Sequence, residues 1–248
     1  MNTFVVPRNR CGSIEHYFHF LFGYLIPFVN NVSPSDETYA FADCGPLMNE
    51  ILADIVGFKT TTQIGIDSCD KKICFQGHDD VCFTKFDIQL TRMKFFDVFQ
   101  PRTFDKKVLV VDRAKPHVFY ETRAEIKESG SCRRSVPNMT DVFSEIKQVF
   151  KNADLVFLEG MPLKDQMELF SNSSCVVMQH GAAMANLIWC EKGASVVEIR
   201  SDLTVDYFKK MVGMAGLNHV RIKQDHDHAC VSPKEVLKGL LNCFSKIM

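Results

Sequence analysis

The sequence has no excess of either charge, with 29 Lys plus Arg against 30 Asp plus Glu in 248 residues. It therefore lacks the basic footprint that nucleic acid or an anionic membrane surface requires, and polyanion binding is disfavoured. None of its ten cysteines forms a Cys-x-x-Cys pair, and Cys69, Cys74 and Cys82 have only His78 nearby, so the ligand spacing of a structural zinc site is missing. Several cysteines sit inside apolar runs such as SCVVM at 174–178, which reads as buried thiols rather than a disulfide set. No Gly-x-Gly-x-x-Gly follows the first strand, which argues against a dehydrogenase or a methyltransferase on a doubly wound sheet. No apolar stretch of signal length precedes the charged RNR at 8–10, and the longest apolar block, 17–29, is interrupted by His19, Gly23 and Pro27. A soluble, cytoplasmic chain with no membrane segment is expected. The Asn-x-Ser/Thr sequons at Asn31, Asn138 and Asn172 carry weight only for an excised Golgi-lumenal domain.

What is present is ordinary globular material, 46% apolar and 24% charged. A chain of this length buries roughly 70–75% of its unfolded surface without disulfide or metal staples. TFVVP (3–7) reads as a strand, and Ile14, Tyr17, Phe18, Leu21, Phe22, Leu25 and Ile26 mark an amphipathic helix over 14–26 that ends near Pro27. TYAFAD (38–43) reads as a strand and PLMNEILADIVG (46–57) as a helix with proline in its first turn. Short strands are expected at 62–66 and 80–84, then a helix over 87–99. The polar QPRTFDKK (100–107) marks a boundary, giving halves of 1–105 and 106–248. Beyond it, Val/Ile/Leu strands at 108–112, 155–158, 175–178, 195–199 and 219–222 alternate with helices at 139–150, 163–170, 182–190 and 204–214. Such runs, lacking polar alternation, suit a parallel sheet covered on both faces. A last helix, 233–246, is free to pack back on the first half.

The segment SSCVVMQHGAAMANLIWCEKGASVVEI (173–199) runs a buried strand into a turn of small residues that opens a helix. The free N–H groups and positive dipole end of such a helix suit a phosphate or diphosphate, and the crevice at the strand ends of an open α/β sheet is where ligands bind. Small residues at such a turn also serve packing alone, and the pattern by itself leaves both readings open. His180 and Asn186 add hydrogen-bond donors there.

HGAAMANLIWCEKGASVVEI (180–199) is similar to the His-Gly-Ala-Gly-Leu-x-Asn-Leu-x-Phe-x-x-x-Gly-x-x-Val-x-Glu-Ile segment of family 61 glycosyltransferases. VLVVDR (108–113), RRSVPNMTDVFSEI (133–146) and LKDQMELFSNSSCVVMQHG (163–181) resemble, in order and spacing, that family's strand ending in Arg, its Arg-x-x-x-Asn element and its Gln-containing helix. EHYFHFLFGYLIP (15–27) resembles its N-terminal Tyr-x-His-Trp-Leu helix. The chain departs from the pattern at Ala183 and Met184, where most members have Gly-Leu, and at Phe22, Gly23 and Tyr24, where an acidic residue is usual.

The resemblance implies a GT-B architecture of the α/β class, two Rossmann-like doubly wound halves facing a cleft, with the nucleotide-sugar on the second half and the acceptor on the first. It implies an inverting transfer from a UDP-sugar, xylose favoured, to a glycan hydroxyl. No metal or other cofactor is expected, because a helix N-terminus and basic side chains stabilise the departing diphosphate. On this reading Arg113 and Arg134 pair with phosphate oxygens. His180, Gly181, Ala182, Ala183 and Asn186 form the turn against the donor, Gln166 bonds the nucleotide or sugar, and Glu198 binds ribose or sugar hydroxyls. Two residues compete for the general base. His19 lies off the apolar stripe, with Glu15 to orient it and Gly23 leaving room for an acceptor. Asp43 lies at the carboxyl end of strand 38–42. DHDHAC (225–230) offers a rival cation site but follows the last strand, where it reads as a solvated loop. The competing function is a non-catalytic sugar-nucleotide or glycan-binding module of the same fold.

Overall fold

Phe4, Phe20, Phe22, Tyr24, Phe28, Tyr39 and Phe41 are all buried, and this aromatic cluster organises the first of two compact units, Met1–Gln100 and Pro101–Met248. The computed structural model describes residues 2–55, 57–63, 69–121, 130–202 and 206–244. In the first unit β1 (Asn2–Val5), β2 (Thr38–Ala42), β3 (Lys59–Gln63) and β4 (Lys71–Ile73) form a parallel sheet in the order β3-β2-β1-β4. The Tyr24 hydroxyl donates to the Val5 carbonyl at 2.6 Å and accepts the Ala42 N–H at 2.9 Å, tying together the carboxyl ends of β1 and β2.

The first helical run differs from the amphipathic helix expected over 14–26. It comprises α1 (Tyr17–Phe20), a π-helical stretch (Leu21–Leu25) and α2 (Ile26–Asn31), and so passes through Pro27 rather than ending there. Pro27 has no N–H for the Gly23 carbonyl. That carbonyl instead accepts the Arg8 N–H at 2.9 Å, and the π stretch absorbs the irregularity. The same contact removes the room expected beside Gly23: a β-carbon there would lie 2.8 Å from both the Arg8 carbonyl and Asn9 Nδ2.

Helix α3 (Pro46–Ala53) is shorter than its sequence pattern. Helix α4 (Lys85–Phe99) opens with a reciprocal cap between Thr84 and Asp87. Of the two strands expected beyond residue 60, the first is observed as β3, ending at Gln63, and positions 64–66 lie outside the described residues. Positions 80–84 form no strand beyond an isolated Asp79–Cys82 bridge. The fourth strand is β4, whose Lys71 and Lys72 are exposed on a sheet edge and leave no hydrophobic signal.

In the second unit β5 (Lys107–Asp112), β6 (Asp154–Phe157), β7 (Ser173–Gln179), β8 (Ser195–Arg200) and β9 (Asn218–Lys223) are all parallel, in the order β6-β5-β7-β8-β9. Short helices α5 (Val118–Glu121) and α6 (Gly130–Arg133) lie between β5 and α7 (Met139–Val149). Helix α8 (Leu163–Ser171) precedes β7, a 3₁₀ helix (Ala182–Trp189) follows it, and α9 (Tyr207–Ala215) and α10 (Pro233–Phe244) complete the unit. The expected helix starts at 204 and 205, and the expected end at 245 and 246, lie outside the described residues.

Val108, Val110, Cys175, Val177, Val197 and Ile199 form one core face with Val142 and Ile146 of α7 and Val236, Leu240 and Cys243 of α10. The alternate residues Leu109, Val111, Val176, Met178 and Val196 are buried on the opposite face. Sheet runs without polar alternation are thus covered on both sides, as a Rossmann-like α/β layer requires. The apolar face of the last helix, α10, lies in the core of its own unit. The polar stretch 101–106 also belongs to this unit, through an Arg102–Glu168 ion pair at 3.0 Å and a Phe104 N–H bond to Asn172 Oδ1 at 2.7 Å. Among the described residues no helix is long and apolar enough to cross a membrane.

Candidate functional site

Strand order in the second sheet reverses between β5 and β7, and the crevice beyond their carboxyl ends is where such a sheet takes a ligand. β5 hands over to Arg113 and β7 to His180 and Gly181. The Arg113 guanidinium donates to the His180 carbonyl at 2.7 Å and to the Gly130 carbonyl at 3.2 Å. It lies so close over Gly181 that a β-carbon there would overlap it. In the 3₁₀ helix the first rung is Met184 N–H to the Gly181 carbonyl at 2.9 Å, so the N–H groups of Ala182 and Ala183 precede the ladder. Arg133 and Arg134 flank the same point. Burial lowers the Arg113 pKa to about 10, and the neighbouring charges of Arg134 and Arg133 add to that effect against Glu159 and Asp227. Arg113 stays protonated at neutral pH. Mutually repelling guanidinium groups beside unladdered N–H donors form an electropositive cradle suited to a diphosphate.

The loop carrying DHDHAC is exposed at Asp225, His226, His228 and Cys230, as expected, but Asp227 ties it to this framework. Arg134 Nε donates to Asp227 Oδ2 at 3.0 Å, and Ser201 Oγ donates to Asp227 Oδ1. Burial alone would raise the Asp227 pKa, but those two bonds hold it below the usual carboxylate value. Gln179 Nε2 reaches the Ser135 carbonyl, Gln224 Oε1 and the Asp227 carbonyl at 3.0, 2.8 and 3.1 Å, fastening the loop to β7. Among the described residues no group of three or more His, Cys, Asp or Glu is placed to hold a metal ion. Arg133, Gln179, Gln224 and Asp227 escaped the sequence reading as parts of this site. Arg133 stands next to Arg134, Gln179 precedes the His180 turn and Asp227 lies within DHDHAC, whereas Gln224 carries no sequence signal.

Glu198 was expected to meet ribose or sugar hydroxyls, but it is fully buried and bonded within the protein. His180 Nδ1 donates to its Oε1 at 2.6 Å and His219 Nε2 to its Oε2 at 2.9 Å, with Arg200 at 3.4 Å and Arg221 at 3.3 Å. Burial pushes its carboxyl up, and the two imidazole bonds more than reverse this, holding it at about 2. Burial also lowers the His180 pKa, against the pull of Glu198. His180 is therefore a neutral imidazole at pH 7 that keeps its proton on Nδ1 and donates it as a hydrogen bond to Glu198. Its side chain keeps 15% of its surface exposed, and with the proton on Nδ1 the lone pair is on Nε2.

Gln166 and Asn186 are likewise buried and engaged in the protein rather than turned to a ligand. Asn186 Nδ2 donates to Gln166 Oε1 at 2.7 Å, Gln166 Nε2 to the Met161 carbonyl at 2.8 Å, and Trp189 Nε1 to Asn186 Oδ1 at 3.2 Å. This chain fixes the 3₁₀ helix against α8, which sets where Ala182 and Ala183 stand.

In the first unit the sheet order reverses between β1 and β4, and His19 belongs to the framework at that edge. Its Nδ1 lies 2.7 Å from Asp80 Oδ2. The expected partner Glu15 instead accepts from Ser13 Oγ at 2.9 Å. Asp80 also accepts the Arg10 N–H at 2.7 Å and the Cys11 N–H at 3.2 Å. Asp43 follows β2, and its Oδ1 accepts the Gly45 N–H at 3.1 Å and Asn49 Nδ2 at 2.8 Å, which makes it the fastener of the turn into α3.

The family model described as Glycosyltransferase 61 matches residues 17–197, from α1 into β8. The chain belongs to glycosyltransferase family 61. No curated protein matches it. The match takes in His19 and Asp43 in the first unit and Arg113, Arg134, Gln166 and the turn from His180 to Asn186 in the second. It stops one residue short of Glu198. In this glycosyltransferase the candidate residues sort into three groups: Arg113, Arg134 and the Gly181–Ala183 turn around the cradle; His180 with its buried support Glu198; and Gln166 with Asn186 behind the 3₁₀ helix.

Proposed function

We propose that this family 61 enzyme transfers a sugar from a UDP-sugar, UDP-xylose first, to a glycan hydroxyl with inversion at the anomeric carbon. The observation that carries the reading is the cradle in which Arg113 lies over Gly181 beside Arg133, Arg134 and the N–H groups of Ala182 and Ala183. Its charge meets the diphosphate as the anomeric C–O bond breaks and negative charge develops on the leaving oxygen, a task other transferases give to a divalent cation. No metal takes part in this scheme. Each Rossmann-like unit takes one substrate, as in the GT-B class, the second holding the donor and the first the acceptor.

His19 is the proposed base, since Asp43 already fastens a turn. A single in-line displacement needs one group to take the acceptor proton as its oxygen attacks the face opposite the leaving UDP. His180, neutral and held by Glu198, offers a lone pair to a donor hydroxyl rather than charge to a phosphate. Thermal shift with UDP, with EDTA or Mn²⁺ added, tests the cradle. Stabilisation of the wild type in EDTA, lost in Arg113→Ala, supports it. Stabilisation that requires Mn²⁺ overturns the metal-free scheme, and stabilisation unaltered in Arg113→Ala removes the cradle from the donor site.

A further inference from the structure

We propose that Asp80 and Gly12 are positioning residues that fix His19 as a base with its Nε2 lone pair presented, one carboxylate shaping both the imidazole and the strap of chain against it. This rests on the glycosyl-transfer reading in taking His19 as the base. Asp80 is fully buried and follows β4, sixty-one positions from His19 in sequence. Its Oδ1 accepts the Arg10 N–H and its Oδ2 the Cys11 N–H, and backbone N–H groups can only donate. With both oxygens accepting, the His19 Nδ1 contact at 2.7 Å on Oδ2 is an N–H donation from the ring. In the neutral imidazole the single proton is then on Nδ1, and Nε2 is the basic nitrogen.

The strap completes the arrangement. Asn9 Nδ2 donates to the His19 carbonyl at 3.1 Å, Arg10 pairs with Asp79 at 3.3 Å, and Arg10 and Cys11 hang from Asp80. Gly12 then lies against the ring so closely that a β-carbon would overlap Nε2, Cδ2 and Cε1. Phe18 of α1 meets the imidazole edge-on at 5.3 Å, and His16, just before α1, at 6.3 Å. The ring is held on its Nδ1 edge and by Gly12 beside its Nε2 end, and 22% of the side-chain surface remains exposed. In the transfer step Nε2 takes the hydroxyl proton as the acceptor oxygen bonds to the anomeric carbon and the bond to UDP breaks. The resulting imidazolium is balanced by Asp80 and returns its proton to water.

The test uses the full chain with UDP-xylose and a glycan acceptor, reading UDP release, UDP affinity by calorimetry, and the His19 tautomer by long-range ¹H–¹⁵N NMR. In Asp80→Asn the new amide can donate to Nδ1 and drive the proton to Nε2. Turnover should fall roughly 10²–10⁴-fold with UDP affinity kept within about twofold. Gly12→Ala leaves the charge in place and displaces the ring, so turnover should fall about tenfold or more even if Asp80→Asn does not fold. The wild type should show the Nδ1–H tautomer. A wild-type Nε2–H tautomer, or both variants turning over within twofold of wild type, overturns the proposal. A wild type that transfers no sugar overturns the glycosyl-transfer reading, and the tautomer still decides the positioning.

Discussion

Glu198→Gln probes the second unit at its most heavily bonded side chain. The carboxyl is fully buried between His180, His219, Arg200 and Arg221 and is held at about 2 against an ordinary 4.5. A carboxylate whose folded pKa is depressed contributes stability above its unfolded value and loses it as pH falls through the folded one. From 4.5 to about 2 this is about 3 kcal/mol at neutral pH. Breaking a buried ion pair from one side costs roughly 3–5 kcal/mol, and the two figures agree. Trp189 is the single tryptophan, fully buried in this unit, so urea unfolding followed by its fluorescence reads the second unit. The variant should be about 3 kcal/mol less stable at pH 7, a fall of roughly 6–12 °C in Tm. At pH 3 the gap should narrow by about half, because the wild-type carboxylate has by then lost that share of its advantage. His180, held below its ordinary 6.5 by burial, adds a separate loss of stability below that pH in both proteins. A loss under about 1 kcal/mol at pH 7, or a gap undiminished at pH 3, would refute the network as described.

Gly181→Ala should push the Arg113 guanidinium out of the cradle, weakening UDP binding by about tenfold or more in calorimetry, since a charge-assisted hydrogen bond is worth roughly 1.5–3 kcal/mol. Unchanged affinity would mean that Arg113 does not meet the diphosphate. Asp43→Asn retains an Oδ1 acceptor for Gly45 and Asn49, so transfer should stay within about twofold and stability within about 1 kcal/mol. An inactive Asp43→Asn that still binds UDP would move the base from His19 to Asp43.

The second sheet was legible because Val108–Val111, Cys175–Met178 and Val196–Ile199 are apolar on both faces, a pattern that periodicity detects. The first unit was harder to read. β4 is a short edge strand with exposed lysines, and Pro27 reads as a stop in sequence because only the fold supplies Arg8 as donor to the Gly23 carbonyl. Arg113 and the His180–Ala183 turn were visible because they end strands that could be placed. Glu198 was visible as a carboxylate inside an apolar strand, but its partners were not, since His219, Arg200 and Arg221 meet it only once β8 and β9 pair. Gln166 and Asn186 looked like ligands because amides in a signature segment suit binding. Their mutual hydrogen bond is a tertiary fact. Asp80 carries no sequence signal, standing sixty-one positions from the imidazole it meets.

The measurement that tests the central claim most directly is UDP release from UDP-xylose in EDTA, with and without glycan acceptors, and with the product's anomeric configuration read by NMR. The account predicts release that depends on an acceptor and a glycoside of configuration opposite to the donor's. Tight UDP binding without acceptor-dependent release from any UDP-sugar would contradict the account and leave a binding module, and a product of retained configuration would contradict the single displacement on which the role of His19 depends.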